Sequence, residues 1–502
     1  MIEAPAQVTV SDLPLQTQSG NPLIRWALFL FCVAVVCPIR YYAESYGVDI
    51  SWVQAMNLAA WKGLAVGRDI IWTTGPLSHL VFPLDIGSNL TEALRFQYAI
   101  WLLMGAVLAD VFFSSGARVR NLALFSLYLA FSAPLYWFNF VGLDGLLTTG
   151  VLLLLTMVFL SGGTTRYVAA LILTGLLPMV KLTAGMVTGG AIAGFVAHRF
   201  LTKHAERWHA LVLAAVVPTV TMAGMSWLLL PSIDAAKTYV LASLEVARNY
   251  SSAMATVGDA IEIAGAAQTL AWISVVLFIV WRGDSSKGRF AALLLGLPLL
   301  VSFKHGFVRQ DMHVIIYFCF AAVVLAILSL LLPDSRKPFY NATLVVFAYT
   351  VTWAGYATLR VGPDAYWQSA GIQGLQLAAK TTDVTALRRH LARRSDREYP
   401  AELALDPEIR GAIGSQSVAI LSVAFHRDMM RHLNVELYPV IQRYSAYSPY
   451  LDEWNARWIR EKGPRFLLFD GSAIDDRHLW TETPAMWLEI YRHYNTRLSK
   501  TR

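Results

Sequence analysis

Residues 167–198 read YVAALILTGLLPMVKLTAGMVTGGAIAGFVAH, and how often this stretch crosses a membrane decides which side the rest of the chain occupies. It is longer than the roughly 20 apolar residues that one spanning helix needs. It is interrupted at Pro178, which removes a backbone donor, and at Lys181, a charge that hydrocarbon tolerates only with a partner. Two short helices meeting at Lys181 are expected. Other apolar segments lie at 23–40, 94–113, 121–138, 145–161, 208–230, 264–281, 289–303, 313–332 and 339–358. With the divided hairpin they give about eleven crossings, an odd number.

Composition sets the same class. The 502 residues are 56% hydrophobic and only 15% charged, with a mean hydropathy of +0.47, which an ordinary soluble domain does not have. The expected fold is an α-helical polytopic membrane protein. Lys and Arg set its orientation. One set of loops carries Arg118, Arg120, Arg166, Arg199, Lys203, Arg207, Arg282, Lys287, Arg289, Arg336 and Lys337 against Glu206, Asp284 and Asp334. The opposite set is acidic or balanced: residues 41–93 hold Glu44, Asp49, Asp69, Asp85 and Glu92 against Lys62 and Arg68. The basic set is therefore expected in the cytoplasm, together with a tail at 1–22 that has no cleavable apolar core. An odd number of crossings then places residues 365–502 outside. The net charge of +7 is explained by these anchoring bases and asks for no nucleic-acid partner. Cys32, Cys37 and Cys319 fall in apolar stretches, so no disulfide framework is implied.

Residues 365–502 are mixed and charged. Helices are expected near 383–395, 425–433 and 448–461, with strands near 417–423 and 465–470, which suggests a small α/β domain. The run Arg388, Arg389, Arg393, Arg394 reads as a solvated helix face or a contact for anionic groups.

Charged residues that could do chemistry gather in the outward loops 41–93, 137–145, 232–262 and 303–313. In the first, Val53, Met56, Ala60 and Leu64 follow helical spacing, so a short helix is expected in the interface plane with this stripe in lipid. Asp49 stands at its start, where it would cap the helix or act as a general base. Asp69 and His79 lie further along as weaker acceptor-side candidates. In Trp137-Phe138-Asn139-Phe140-Val141-Gly142-Leu143-Asp144-Gly145, Asp144 is the one charge, at the mouth of a helix. Lys181 suits a lipid phosphate, or would snorkel to the outer headgroups. Phe303-Lys304-His305-Gly306-Phe307-Val308-Arg309-Gln310-Asp311-Met312-His313 crowds five ionisable groups onto one boundary. Helical spacing would align His305, Arg309 and His313; an extended strand would align Arg309, Asp311 and His313. Both offer donors to a phosphate, and Lys181, His305 and Arg309 are expected to converge on one cavity. Asp49 and Asp144 are candidate ligands for Mg²⁺ or Mn²⁺, though no spacing fixes a site. In the outer domain, Gln442, Arg443, Tyr444 and Tyr447 sit in a tyrosine-rich run suited either to stacking on sugars or to packing the domain onto the membrane part.

Several of these stretches resemble the GT-C superfamily of membrane glycosyltransferases, which take a sugar from a polyprenyl-phosphate carrier. The resemblance rests on Asp49-Ile50-Ser51-Trp52 with the later turn Gly75-Pro76-Leu77, on Asp144, and on the Lys181-Leu182-Thr183 hairpin. The chain is also similar to a group of bacterial multi-pass proteins with an Asp-x-Ser-Trp loop and an Arg-x-Asp-x-His loop, here Asp49–Trp52 and Arg309–His313. The resemblance implies an inverting transferase at the outer face of the bacterial cytoplasmic membrane, with Asp49 as base and Lys181 and Arg309 on the departing phosphate. A single Asp49 replaces the paired acids of protein O-mannosyltransferases, and Gly75-Pro76 replaces Pro-Pro. Lipid, glycan and protein acceptors therefore stay open. The competing classes are a lipid-linked glycan transporter or flippase and a non-catalytic subunit of an envelope glycan assembly. A transporter would spread its charges through the depth of the membrane; apart from Asp110, they gather here at one boundary.

Overall fold

The computed structural model describes residues 21–135, 142–311, 313–333, 373–398, 404–424, 432–475 and 477–499. The expected span at 339–358 lies outside these, as does most of the expected helix at 425–433.

The described membrane part runs α1 (Pro22–Val35), α2 (Val48–Trp61), α3 (Ser78–Val81), α4 (Asn89–Ser114), α5 (Val119–Leu135), α6 (Leu143–Ser161), α7 (Thr164–Val180), α8 (Leu182–Leu201), α9 (Arg207–Leu229), α10 (Ile233–Ala253), α11 (Ala260–Gly283), α12 (Ser285–Val308) and α13 (Val314–Leu331). Six of these, α4, α6, α9, α11, α12 and α13, are long and apolar enough to cross a membrane. A mostly helical chain with six such helices is consistent with a polytopic membrane protein. Two of them differ sharply in burial. Every residue of α13 is buried, enclosed by α5, α11 and α12. By contrast, α9 is also apolar enough to span, yet its most apolar window has no buried residue, and Trp208, Val212, Val216, Val220, Trp227 and Leu228 stand exposed along it. Such a face needs an apolar surrounding outside the chain.

The hairpin forms as the sequence predicts. Lys181 adopts an extended conformation (φ −159°, ψ 121°) that ends α7 and begins α8, so the two helices cannot run on into one another. Gly185 is required there, because a Cβ would come within 2.5 Å of the Pro178 ring. Side-chain contacts then tie the basic loops together at one end of the bundle. Arg166 forks onto Asp110 at 2.6 Å, Arg25 donates to the carbonyls of Phe112 and Ala117, and His198 meets Ser286. Asp110 is thus engaged at the basic end. Lys181, Asp144 and Arg309 lie at the other.

That opposite end is closed by the long first loop and by α10, an amphipathic helix inside 232–262. Gly75 N–H donates to Val180 and Leu77 N–H to Met179, fixing the loop on the hairpin tip. A Cβ at Gly75 would lie 2.3 Å from the Met179 carbonyl, so only glycine permits this approach. The Tyr239 hydroxyl of α10 donates to Pro178 at 2.5 Å. The expected lipid stripe on α2 is overturned: Val53 and Met56 are buried in the protein core, because α3, α4 and the outer domain cover that helix. Cys37 lies just beyond α1 rather than within it; all three cysteines are buried and unpaired in disulfides.

The described outer segment continues with α14 (Gln373–Lys380), α15 (Val384–Glu398), α16 (Pro407–Ile413), β1 (Ser417–Ile420), β2 (Asn434–Val435), α17 (Pro449–Lys462), β3 (Phe466–Leu468), α18 (Leu479–Glu482) and α19 (Pro484–His493). The strands form a parallel sheet in the order β2-β1-β3, pairing Val418 with Val435 and Phe466. The arginine run lies on α15. Arg388 pairs with Asp85 at 3.2 Å, and Leu387 and Leu391 bury against Ile39, so one side of this helix docks on the membrane part while Arg389 and Arg393 remain solvated.

Candidate functional site

The hairpin tip puts Lys181 beside the first turn of α6. Lys181 Nζ lies 3.7 Å from Asp144 Oδ2, and Asp144 also accepts from the first backbone N–H groups of its own helix. Arg40, buried and over the Phe82 ring, adds a second cation within electrostatic reach of Asp144. A small cavity of about 80 Å³ is lined by Asp144, Thr148, Lys181, Thr183, Ser302 and His305. The counter-charge that an intramembrane lysine requires is therefore Asp144. The sequence reading placed both residues near this boundary without pairing them.

Below the cavity mouth, α12 stops at Val308 and the chain turns extended. Arg309 forms a parallel bridge with Thr256, and Gln310 N–H donates to the Thr256 carbonyl at 3.2 Å. The extended alternative holds from here: Arg309 Nε meets Asp311 Oδ2 at 2.8 Å, and Asp311 Oδ1 meets His313 Nδ1 at 2.5 Å. Asp311 also accepts from His313 N–H at the entry to α13. Burial alone would raise the Asp311 carboxyl, but the bonds from His313 and the nearby Arg309 charge hold it below the usual carboxylate range. The His305 and His313 rings are 6.2 Å apart. The polar groups thus run as a continuous series from Asp144 through Lys181, His305 and His313 to Asp311 and Arg309.

The expected convergence is met in part. Lys181 and His305 line the cavity, whereas Arg309 turns outward and forks onto Asp475 of the outer domain, with both bonds at 2.8 Å. Lys304, one residue along the helix from His305, is exposed. Asp475 was not singled out from the sequence; the acid pair Asp475-Asp476 was the only available signal. Arg477 beside it donates to the Ala253 carbonyl at the end of α10.

Asp49 is exposed in the first turn of α2. The cap position belongs to Gly47, with no side-chain hydrogen bond, so Asp49 is not the cap. Its charge and that of Arg309 both reach Tyr250 and Tyr444. These two tyrosines mark where the first loop, the Arg309 loop, α10 and the outer domain meet.

The tyrosine-rich run does not present an open sugar-binding face. Gln442 and Arg443 are each 1% exposed, and Tyr444 and Tyr447 are largely buried. Gln442 donates to the Val48 carbonyl and accepts from Tyr444, while Arg443 pairs with buried Glu482 at 2.9 Å and with two backbone carbonyls. Gln442 thus ties the domain to the start of α2, while Arg443 holds the domain together from within. Asp69 pairs with Arg68 and accepts from Ala65 N–H, closing a turn. His79 is held in the α3 turn, where burial pushes its imidazole below the usual value. Among the described residues no three His, Cys, Asp or Glu side chains gather to hold a metal ion. Asp144 is already matched in charge by Lys181 and Arg40.

The Arg309–Asp475 pair gives a direct test of docking. Arg309 holds the Asp475 carboxyl below its ordinary range, mainly through their hydrogen bonds. Its contribution is therefore complete above the ordinary carboxylate value of about 4 and is lost as pH falls through the lowered one. Limited proteolysis should find the outer domain equally protected from pH 8 to about 5 and loosened below about pH 4. Asp475→Asn should raise cleavage at neutral pH, with a coupling to Arg309→Gln on the order of 1 kcal/mol in a double-mutant cycle.

No protein-family model, curated protein or solved structure matches this chain.

Proposed function

We propose that this protein is a membrane glycosyltransferase that moves a sugar from a polyprenyl-phosphate donor to a lipid, glycan or protein acceptor at the outer face of the cytoplasmic membrane. One observation carries the reading. An exposed carboxylate, Asp49, and a set of phosphate-matching groups, the cations Lys181 and Arg309 with the imidazoles His305 and His313, occupy the same end of the bundle beneath one roofing domain. Asp49 and Arg309 each lie within electrostatic reach of Tyr250 and Tyr444, which supports a reading in which a base and a phosphate-binding group serve one site.

In this reading the acceptor hydroxyl attacks the anomeric carbon as the bond to the carrier phosphate breaks. Asp49 removes the hydroxyl proton. The phosphate leaves with its charge matched by Lys181 and Arg309. Asp144 orients Lys181, and Asp311 orients Arg309. To reach the phosphate, Arg309 exchanges its bond to Asp475 for one to the ligand. The chain does not desolvate Asp49, so the bound donor supplies that shielding. The basic loops face the cytoplasm, following the charge bias, with eleven crossings in all.

The test is a purified, lipid-reconstituted chain given a radiolabelled polyprenyl-phosphate hexose and an envelope glycolipid extract. The expected result is label moving from the carrier onto a second molecule. Label that changes leaflet yet stays on its carrier would instead make the protein a transporter.

A further inference from the structure

We propose that α15 is an interfacial helix whose arginine face binds the phosphate groups of anionic phospholipids in the adjoining leaflet. Its depth follows from what it packs on. Leu387 and Leu391 of α15 are buried in one cluster with Leu90 and Leu94 from the first turns of α4, beside the partly buried Tyr98 and Trp101. Arg388 reaches the Gly87 carbonyl and Asp85 just before α4, and Thr381, ahead of α15, meets the Tyr98 hydroxyl at 2.7 Å. Asp110, ion-paired to Arg166, marks where α4 reaches the basic end. About 20 helical residues, one hydrocarbon thickness, separate it from Leu90. Leu90, Leu94 and Tyr98 therefore stand at the other boundary, where aromatic residues favour the headgroup level, and α15 lies beside them.

Charge says what the far side of that helix meets. Residues 373–398 hold six basic and three acidic residues, although the loops at this end of the bundle are otherwise acidic or balanced. Arg388 is matched by Asp85. Arg389, Arg393 and Arg397 recur at every fourth residue, so they form one stripe turned away from Leu387 and Leu391, and all three are exposed. None of the three has an ion-pair partner among the described residues, and the Arg397 guanidinium bonds only the backbone carbonyl of Arg393. Like charges four residues apart repel along a helix, and an anionic surface relieves that repulsion.

A leaflet fits this face better than a soluble polyanion because of where the stripe stands. The arginines project beside α4 at boundary depth, and their long stems carry planar guanidinium groups that match phosphate oxygens in pairs. The exposed positions between them hold Thr385, Ala386 and Ala392 rather than large apolar residues, so the helix rests on headgroups and does not sink among acyl chains. This inference does not depend on the transferase reading, nor on which side of the membrane that end of the bundle occupies.

The experiment labels the purified full chain with phenylglyoxal, which modifies accessible arginines, and reads each position by mass spectrometry. The chain is held in nanodiscs of phosphatidylcholine alone or of phosphatidylcholine mixed equally with phosphatidylglycerol. Labelling at Arg389, Arg393 and Arg397 should fall about fivefold in the mixed discs, the attraction that an anionic surface exerts on one nearby basic residue. Arg465, exposed at the end of β3 away from the Asp475 loop, should label equally in both. Salt at about 1 M, where the screening length is about 3 Å, should abolish the difference. Equal labelling of the stripe in the two discs, or an equal fall at Arg465, would overturn the site. Protection by polygalacturonate added to phosphatidylcholine discs, with none from phosphatidylglycerol, would make the face a binder of anionic glycan and overturn the lipid assignment.

Discussion

Asp49→Asn protein should insert, fold and bind its polyprenyl-phosphate donor, yet transfer sugar about 10²–10⁴-fold more slowly than the native chain, the usual cost of removing a general base. The substitution is gentle on structure. Asp49 is exposed, and the α2 cap is Gly47, so no side-chain capping bond is lost. The favourable placement of a negative charge in a first helical turn is worth about 0.3–1 kcal/mol, which a protein of this size absorbs. Asn keeps the shape and removes the basic oxygen. Asp69→Asn is the matched control, because its carboxylate is engaged by Arg68 and by the Ala65 N–H within a turn. It should lower stability slightly and leave transfer near the native rate. The measurement is initial rate with purified protein alongside donor affinity. A native rate for Asp49→Asn, with Asp144→Asn inactive, would remove Asp49 from the chemistry.

The second large effect belongs to the buried pair. Lys181→Met should leave Asp144 with one of its two neighbouring cations gone. Breaking a buried ion pair on one side generally costs about 3–5 kcal/mol. Here Lys181 retains 25% side-chain exposure and Arg40 remains near Asp144, so about 2 kcal/mol is the expected loss. Adding Asp144→Asn to Lys181→Met should recover most of that stability, since the stranded charge disappears with its partner. Transfer should not recover, because the phosphate still lacks its lysine. Thermal unfolding and rate on the same three proteins separate the two roles. A double variant restored in both respects would make Lys181 a structural counter-ion to Asp144 and nothing more.

Much of this architecture was legible in the sequence because hydrocarbon imposes strict rules on it. The break at Lys181, the spans beginning near Arg207 and Ala260, and the division of basic from acidic loops all follow from apolar length and charge. What failed were inferences about faces. The Val53 and Met56 stripe was read as lipid-facing, since apolar spacing alone cannot distinguish lipid from a covering protein domain. For Gln442, Arg443 and Tyr444 sugar binding and domain packing both stayed open for the same reason: polar and aromatic groups that pack a domain look identical, in one dimension, to those that dock a ligand. Pairings over long separations, such as Arg309 with Asp475 or Lys181 with Asp144, were invisible because nothing local specifies them.

The way the first loop is held has a consequence for how the protein is made. Lys62 donates to the carbonyl of Val435, 373 residues later, and Ile71 N–H to that of Pro439. At roughly 5–20 residues per second, the ribosome needs on the order of 20–75 s to deliver the second half of that contact. Throughout that interval the nascent loop lacks its cover. A chain that stalls, or is clipped before Val435, would display bare α2 at the membrane surface. Synthesis of the first loop and completion of its packing are thus separate events, divided by most of the length of the chain.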